Sequence, residues 1–166
     1  MKYKIIDNFL PKELFDNIKN SLTNNNYFPW YLSHCVTKEN DGNMQFCHIF
    51  YSNNEKSSNY FNVLEPVLKK LKIDSLVRIK VNLLFKTNKI IEHGFHEDII
   101  YNDKTLIANT AIYYLNTNNG YTKFKNKNII INSVENRMLV FKSNLEHCGT
   151  TCTDADFRTV INFNYF

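Results

Sequence analysis

The chain has 166 residues, of which 43% are hydrophobic and 14% aromatic, and its formal net charge is +4. This length and apolar content suit one domain with a sizeable core, so we predict a single domain over residues 1–166. No apolar run reaches the ~18 residues that span a membrane, and the first residues lack the apolar stretch of a secretion signal. We therefore expect a cytoplasmic protein with no membrane partner.

The charged residues and cysteines restrict the possible partners less strongly. The lysines are scattered and form no long basic run, which gives weak support to nucleic acid as a partner and does not exclude it. In a reducing compartment the four cysteines are expected as thiols, and their spacing with histidine matches no closed zinc motif. We predict buried structural cysteines at Cys35, Cys47, Cys148 and Cys152. The oligomeric state is left open by the sequence.

Two helices are predicted in the first 75 residues. Apolar residues at positions 14, 15, 18 and 22 follow Pro11 with helical spacing, and Asn24 to Asn26 mark the end of the first helix. The aromatic segment "YFPWY" (27–31) after it is interpreted as a core plug or, alternatively, as a wall of a substrate mouth. The second helix lies in "SSNYFNVLEPVLKKLK", where an interior proline, Pro66, indicates either a weak point or two shorter pieces. We expect residues 1–75 to be a helical N-terminal part.

From Leu76 onward the sequence predicts short strands separated by Asn, Lys and Gly. The strand segments are "LVRIKVNLLF", "IEHGFHEDI", "LIANTAIYYLN", "YTKFKN", "NIIINSV", "RMLVFK" and "FRTVINFNYF". No alternation of strands with helices occurs, so a doubly wound α/β fold is excluded. The pattern predicts a mainly β protein with N-terminal helices, in which residues 76–166 form the jelly-roll core.

A candidate metal site begins in the segment "IEHGFHEDI". Side chains two residues apart on a strand point the same way, so His96 and Asp98 can converge on one ion. A third ligand is available at His147, which follows the apolar strand "RMLVF". Two histidines and one carboxylate form the facial triad typical of non-haem Fe(II) oxygenases, which leaves positions open for substrate and dioxygen. Taken alone, however, His96 and Asp98 fit an ordinary hydrogen-bonded pair equally well.

The other potential ligands in the same segment are predicted not to bind the metal. On a regular strand His93 and Glu97 face away from His96, unless Gly94 introduces a bulge that breaks the alternation. Glu92 has the right parity but lies about 13 Å from His96 at ~3.3 Å per residue.

Eleven residues after His147, Arg158 is the second residue of the last predicted strand. A planar guanidinium suits bidentate binding of a carboxylate, and the chain otherwise uses mostly lysine as its basic residue. Together with His96, Asp98 and His147, Arg158 indicates a metal site beside a carboxylate-binding site far more specifically than any one of these residues alone.

In these residues the chain resembles the Fe(II)/2-oxoglutarate-dependent dioxygenases, particularly the prolyl-4-hydroxylase-like branch, over about its last ninety residues. His96, Asp98, His147 and Arg158 stand in the family's order and approximate spacing. "IYYLN" is similar to the strand whose second tyrosine, here Tyr114, reaches the co-substrate, and "GYTKF" is similar to the family's Gly-x-Thr-x-Phe hairpin. Leu84 departs from the pattern, because relatives often have tyrosine there.

The resemblance implies a double-stranded β-helix, also described as a jelly roll or cupin-like fold. It implies that His96, Asp98 and His147 hold Fe(II), and that Arg158 and Tyr114 bind 2-oxoglutarate with a further polar contact from Asn82. The implied activity is hydroxylation of a C–H bond with O2 and 2-oxoglutarate, releasing succinate and CO2, with ascorbate as a supporting reductant.

The substrate class stays open at this stage. A peptidyl or small amino-acid-like substrate of prolyl type is the first hypothesis, and a nucleic-acid-modifying dioxygenase is the second. A catalytically silent jelly-roll binding module is the third. The substrate is expected to lie against the loops "VTKENDGNMQ" and "YNDKT".

Overall fold

Two antiparallel sheets pack face to face in the computed structural model, which describes residues 2–39, 41–101, 104–105 and 107–166. The strands are β1 (Tyr3–Ile6), β2 (Tyr31–Ser33), β3 (Gln45–Ser52), β4 (Glu55–Lys56), β5 (Leu76–Phe85), β6 (Ile100–Tyr101), β7 (Lys104–Thr105), β8 (Asn109–Tyr114), β9 (Tyr121–Phe124), β10 (Ile129–Asn132), β11 (Arg137–Lys142), β12 (His147–Gly149) and β13 (Phe157–Tyr165). In the described residues the larger sheet runs β1-β11-β8-β13-β5-β3-β2 with β4 paired to β3, and the smaller runs β10-β9-β12. The predicted double-stranded β-helix is confirmed.

Two helical segments cover the outer face of the larger sheet. Helix α1 (Lys12–Thr23) begins after Pro11 and ends at Asn24, as the sequence predicts. Helix α2 (Glu65–Leu71) follows a 3₁₀ turn at Phe61–Leu64, so the second predicted helix consists of two pieces. Pro66 lies in the first turn of α2, where its missing N–H has no intrahelical partner to lose. None of the described helices is long and apolar enough to cross a membrane.

The expectation that residues 1–75 are a helical part is wrong, because this region also contributes β1 to β4. Strand β3 pairs with β5 and extends the larger sheet, while β1 pairs with β11 at its opposite edge. The alternation along β3 is irregular, with a register shift between Ile49 and Tyr51, so its periodicity did not stand out in the sequence.

The outer core lies between the helices and the larger sheet. It includes Phe15, Ile18 and Leu22 from α1 together with Tyr113 and Phe163 from the sheet. Phe28 of the segment "YFPWY" is buried there and Trp30 packs against it, so these two residues form the predicted core plug, whereas Tyr27 and Tyr31 are exposed. A second core joins the two sheets; its buried members are Ile112, Tyr114, Phe124, Ile131, Leu139, Phe141 and Val160.

Strand β13 is buried along almost its whole length because both of its faces are covered. Ile161 and Phe163 belong to the outer core. The alternate side chains of Arg158, Asn162 and Asn164 face the space between the sheets, where their hydrogen-bond partners lie. The inner face of the larger sheet therefore carries the polar residues.

Candidate metal and co-substrate site

Three potential metal ligands converge between the sheets. The ligand atoms of His96, Asp98 and His147 all lie within 4.8 Å of one another. The Nε2 atoms of His96 and His147 lie 3.7 Å and 3.8 Å from Asp98 Oδ1. In the described part of the chain no other group of this kind occurs. The arrangement supplies two imidazole nitrogens and one carboxylate oxygen.

Backbone pairing brings the two histidines together. His96 and His147 exchange two backbone hydrogen bonds of 3.0 Å as an isolated antiparallel bridge, so their rings lie 4.6 Å apart between centroids. His147 opens β12, while His96 lies in an irregular segment. The predicted strand "IEHGFHEDI" is wrong in this respect, because the segment forms only two isolated bridges, through Glu92 and His96.

The backbone also fixes which nitrogen of each ring faces the centre. Nδ1 of His96 lies 3.2 Å from the Gly94 carbonyl oxygen, and Nδ1 of His147 lies 2.9 Å from that of Leu145. A carbonyl can only accept, so Nδ1 carries the proton and Nε2 presents its lone pair to the centre. Burial lowers the pKa of His96, and the neighbouring His147 lowers it further, which favours the neutral, ligating ring.

Three polar side chains hold the carboxylate of Asp98. Thr110 Oγ1 donates to Oδ2 at 2.5 Å, Asn164 Nδ2 donates to Oδ2 at 3.1 Å, and Asn162 Nδ2 donates to Oδ1 at 3.2 Å. Burial alone would raise the pKa of Asp98, but His147, the Thr110 hydrogen bond and the nearby Arg78 outweigh it, so the pKa lies below its ordinary value. The carboxylate is therefore ionised and oriented.

These supporting residues were not predicted from the sequence. Thr110, Asn162 and Asn164 alternate with core residues on β8 and β13. Asparagine inside an apolar strand is the signal that was available, because a buried amide requires a partner.

Arg158 is buried, with 3% of its surface exposed, and forms the second part of the site. Its Nε donates to Ser133 Oγ at 2.8 Å and its Nη2 to Thr122 Oγ1 at 3.3 Å. Burial lowers the pKa of Arg158. Within the described residues no carboxylate forms an ion pair with it. Burying a cation without an anion is unfavourable, so the guanidinium of Arg158 favours binding of an anion from outside the chain.

Tyr114 lies beside this guanidinium, with its ring centroid 5.7 Å from the Arg158 Cζ. Its buried hydroxyl donates to Thr122 Oγ1 at 2.8 Å. Thr122 thus accepts from both residues, which leaves its own proton for another acceptor. Burial raises the pKa of Tyr114, so the phenol is neutral.

A cavity of about 80 Å³ joins the two parts of the site. His96, His147, Arg158, Asn82 and Leu84 all line it. The amide oxygen of Asn82 is buried with no hydrogen-bond partner in the described chain. Such an atom favours a bound polar group, because burying an amide oxygen without a partner is unfavourable.

Gly120, at the start of the "GYTKF" segment, packs directly against Arg158. A Cβ at this position would lie 2.6 Å from Arg158 Cδ and 2.7 Å from the Thr151 carbonyl oxygen. Only glycine therefore allows the hairpin to approach the arginine stem this closely.

The parity argument for His93 is wrong. His93 lines the same cavity as His96 and His147 instead of facing away, because the segment is not a regular strand. Its two ring nitrogens are buried without partners among the described residues, yet it is not part of the three-ligand group. Glu92 binds Lys123 and Tyr121 at the surface, and Glu97 lies outside the group as well.

The loop "VTKENDGNMQ", of which Asn40 lies outside the described residues, contacts the segment that carries His93 and His96 through Thr37. Asp41 accepts backbone hydrogen bonds from Val36, Thr37, Lys38 and Asn43, and Thr37 Oγ1 donates to the Gly94 carbonyl at 3.3 Å. In the other predicted substrate loop, "YNDKT", Asn102 and Asp103 lie outside the described residues, while Tyr101 of β6 pairs with Lys104 of β7. The four cysteines are free thiols, with Cys148 and Cys152 buried and Cys35 and Cys47 half-buried.

The fold is shared with solved 2-oxoglutarate oxygenases. No protein-family model matches the chain, and no curated protein matches it in sequence. The viral collagen prolyl hydroxylase of Paramecium bursaria Chlorella virus-1, solved with 2-oxoglutarate, superposes with a TM-score of 0.66 at 16% identity, covering 99% of this chain and 95% of that one.

Two further structures extend this comparison to other organisms. A prolyl hydroxylase of Trichoplax adhaerens, in complex with a peptide fragment of hypoxia-inducible factor, gives a TM-score of 0.68 at 12% identity over 98% of this chain and 83% of that chain. A prolyl-4-hydroxylase of Pseudomonas putida gives 0.64 at 13% identity over 98% and 91%. The chain has the fold of the prolyl-4-hydroxylase-like 2-oxoglutarate–Fe(II) oxygenases.

Proposed function

We propose that this protein is an Fe(II)- and 2-oxoglutarate-dependent dioxygenase that hydroxylates a C–H bond of a peptidyl or amino-acid-like substrate. The observation that carries the proposal is the pairing of the His96, Asp98 and His147 group with an unpaired, buried Arg158 in one cavity. A keto acid such as 2-oxoglutarate requires this arrangement, because one end of it chelates the metal while its other carboxylate needs a cation nearby.

The residues present fit the implied metal and co-substrate. The donor set of two neutral imidazoles and one carboxylate suits Fe(II) and leaves coordination positions open. Arg158 would hold the distal carboxylate of 2-oxoglutarate, with Thr122 and Tyr114 beside it, and Asn82 would supply a further polar contact. Bound iron, with 2-oxoglutarate and O2, would supply the oxidising power for hydroxylation and release succinate and CO2.

The protein's own residues position and protect this chemistry. Gly94 and Leu145 orient the two imidazoles through their carbonyl groups, while Thr110, Asn162 and Asn164 keep Asp98 ionised and fixed. The apolar residues of the inner core, such as Ile112 and Val160, line the cavity and limit water around the reacting groups.

A peptide substrate is supported by the neighbouring fold of known prolyl hydroxylases, one of them bound to a peptide. A nucleic-acid substrate has no comparable support. A catalytically silent binding module would bind the co-substrate without forming succinate, whereas an enzyme would form it.

Anaerobic addition of Fe(II) and 2-oxoglutarate should produce a weak visible absorption band that requires both components. Iron bound stoichiometrically with no such band would contradict the co-substrate assignment. Exposure of the same sample to O2 should yield succinate slowly, and a protein that shows the band but never forms succinate would be the binding module.

A further inference from the structure

Two cations lie on the inner face of β5, on the opposite side of the metal group from Arg158. Alternate residues of β5 share this face, which places Arg78 and Lys80 in one row with Asn82. Across the pairing with β13, Lys80 is opposite Asn162 and Arg78 is opposite Asn164. These are the two asparagines that hold Asp98. Both cations are therefore next to the support of the metal group.

Neither cation forms an ion pair with a carboxylate among the described residues, although the charge of Arg78 acts on Asp98 and lowers the pKa of that carboxyl group. Arg78 donates from Nε to Asn164 Oδ1 at 3.2 Å, and this is its only side-chain hydrogen bond within the described residues. Lys80 is half-buried and makes no ion pair or side-chain hydrogen bond in the same part of the chain. Burial lowers the pKa of Lys80, and the charge of Arg78 lowers it further. Lys80, half-buried beside a second cation and without a carboxylate partner in the described part of the chain, favours binding of an anion.

This anion cannot be the one that Arg158 binds. Arg158 is opposite Leu84 and Arg78 is opposite Asn164, so the two positions are six residues apart along β13. At ~3.3 Å per residue this is about 20 Å along the strand, with the partners of Asp98 towards the Arg78 end. By the same count Lys80, opposite Asn162, lies about 13 Å from Arg158 along the strand. A five-carbon diacid bound to Arg158 is too short to reach Arg78 or Lys80 while it contacts the metal. The two anion positions are separate.

The row of Arg78 and Lys80 also lies where the inner face is open. The buried inner core that joins the two sheets draws its members from β8 to β11 and from β13, and none from β3 or β5. Ile49, which is opposite Lys80 on β3, has 40% of its surface exposed. A substrate approaching the metal over β3 and β5 would pass both cations.

We propose that Arg78 and Lys80 form an anion subsite for the prime substrate, and that this substrate is a peptide or amino acid with a carboxylate close to the C–H bond that is oxidised. The inference rests on the proposed function for the identity of the reaction. It adds the substrate's charge, which neither the fold nor the metal group specifies.

A carboxylate suits this subsite better than the phosphates of a nucleic acid. The row contains two cations and continues on either side with uncharged residues, Leu76 and Asn82. Nucleic-acid binding draws on a longer basic track that contacts several phosphates, together with aromatic residues that stack on bases. A single carboxylate requires no more than one or two cations.

Arg78 has a second role to be separated from substrate binding, since it also orients Asn164 and through it Asp98. Lys80 has no such contact with the metal support. The substitution Lys80→Met therefore tests the subsite itself, since methionine retains most of the aliphatic stem and removes only the charge.

The test is affinity selection by the protein loaded anaerobically with Fe(II) and 2-oxoglutarate, which prevents turnover. The probe is a pool of peptides with a central proline and random flanking residues, some carrying phosphoserine, and a random single-stranded oligonucleotide pool is tested in parallel. Captured peptides are sequenced by mass spectrometry. We expect Asp or Glu to be enriched on the order of ten-fold, equivalent to ~1.4 kcal/mol, at one or two flanking positions.

Substitutions that remove the charge, keep the charge or remove a charge elsewhere should give different results. Lys80→Met and Arg78→Met should lose the enrichment, whereas Lys80→Arg and Arg78→Lys should keep it. Lys142→Met removes the same charge from β11, which is separated from β5 by two strands, and should behave like the unaltered protein. The melting temperature of each variant verifies that it is folded.

Several results would overturn the inference. The protein could capture no peptides, or capture peptides without enrichment of Asp or Glu. The enrichment could survive in Lys80→Met. The protein could also retain phosphoserine peptides or oligonucleotides in place of acidic peptides. The visible band measured on the same preparation keeps the two proposals apart. A band without acidic enrichment rejects the subsite alone, while acidic enrichment that depends on Lys80 without a band rejects the co-substrate assignment alone.

Discussion

At the scale of single residues, the site depends on which atoms of a side chain are already engaged. His96 and His147 each use Nδ1 in a hydrogen bond to a backbone carbonyl, so only Nε2 is available to a metal. His93, in the same cavity, has no partner for either ring nitrogen among the residues that the structure describes, and it lies outside the three-ligand group.

Removing a ligand should therefore abolish iron binding, whereas removing His93 should not. We expect His96→Ala and Asp98→Ala to lose tight Fe(II) binding, because two ligands from the chain are insufficient to hold the ion. His93→Ala should retain iron at nearly the occupancy of the unaltered protein. Elemental analysis after reconstitution measures the difference, and loss of iron from His93→Ala with retention in His96→Ala would reverse the assignment.

Arg158 should determine co-substrate affinity without affecting the metal. Removing one partner of a buried ion pair costs about 3–5 kcal/mol, so Arg158→Ala should weaken 2-oxoglutarate binding by roughly two to three orders of magnitude. Iron content should stay unchanged. Calorimetry with 2-oxoglutarate makes the measurement, and Tyr114→Phe serves as the milder comparison, with a loss of about 1.5–3 kcal/mol at most. An unchanged affinity in Arg158→Ala would make the arginine structural.

The residues that converge at the candidate site were predictable, but their supports were not. His96, Asp98, His147 and Arg158 stood out because their types and order match one kind of reaction. Thr110 and Asn164 are ordinary residue types whose role depends on which strands are neighbours, and single-sequence patterns do not specify strand order. The error for His93 has the same origin, since its direction follows from two isolated bridges to residues more than fifty positions away.

At the scale of elements, the position of Arg158 depends on the close packing of the "GYTKF" hairpin against its side chain. Gly120→Ala should displace Arg158, because the added Cβ would lie within 2.8 Å of three atoms, one of them a backbone oxygen. We expect both a lower melting temperature and weaker 2-oxoglutarate binding. Gly149→Ala is the matched control, since its Cβ would meet only Arg158 Nη1 at an ordinary 3.5 Å. Equal melting temperatures for the two variants would contradict the packing argument.

The carboxylate of Asp41 holds the conformation of the loop "VTKENDGNMQ" through backbone hydrogen bonds. Hydrogen bonds from the backbone of Thr37 and its neighbours hold the pKa of Asp41 well below the ordinary value. A lowered carboxyl pKa means that the stabilisation is fully present above about pH 4, the pKa of an unfolded aspartate, and is lost as the pH falls below it. Asp41→Ala should therefore speed amide hydrogen exchange at Val36, Thr37 and Asn43 at neutral pH. Unchanged exchange rates would show that the loop is held by other contacts.

The strands of the N-terminal part show where sequence patterns lose information. Strand β1 has the short, mostly exposed run "YKII", and β3 contains a register shift, so neither shows a clean alternation. By contrast, β5 and β13 are long and apolar and were predicted nearly to their ends.

At the scale of the whole molecule, ligands that bind between the sheets should stabilise the fold. A ligand at 100 times its dissociation constant contributes about 2.7 kcal/mol, which corresponds to roughly 5–10 °C in melting temperature for a chain of this size. Anaerobic Fe(II) with 2-oxoglutarate should produce such a shift, and His96→Ala should show none. Differential scanning fluorimetry measures both, and a similar shift in His96→Ala would place the binding elsewhere.

Strand β13 links two tasks through its alternation, because Ile161 and Phe163 face the helices while Asn162 and Asn164 hold Asp98. A slip of one residue in its pairing would turn the asparagines into the outer core and the apolar residues towards the metal. Misregistered chains would thus lose iron affinity and hydrophobic packing in the same event. With the proposed iron site, recovery of iron binding during refolding should coincide with formation of the outer core, so iron binding would report correct strand register directly.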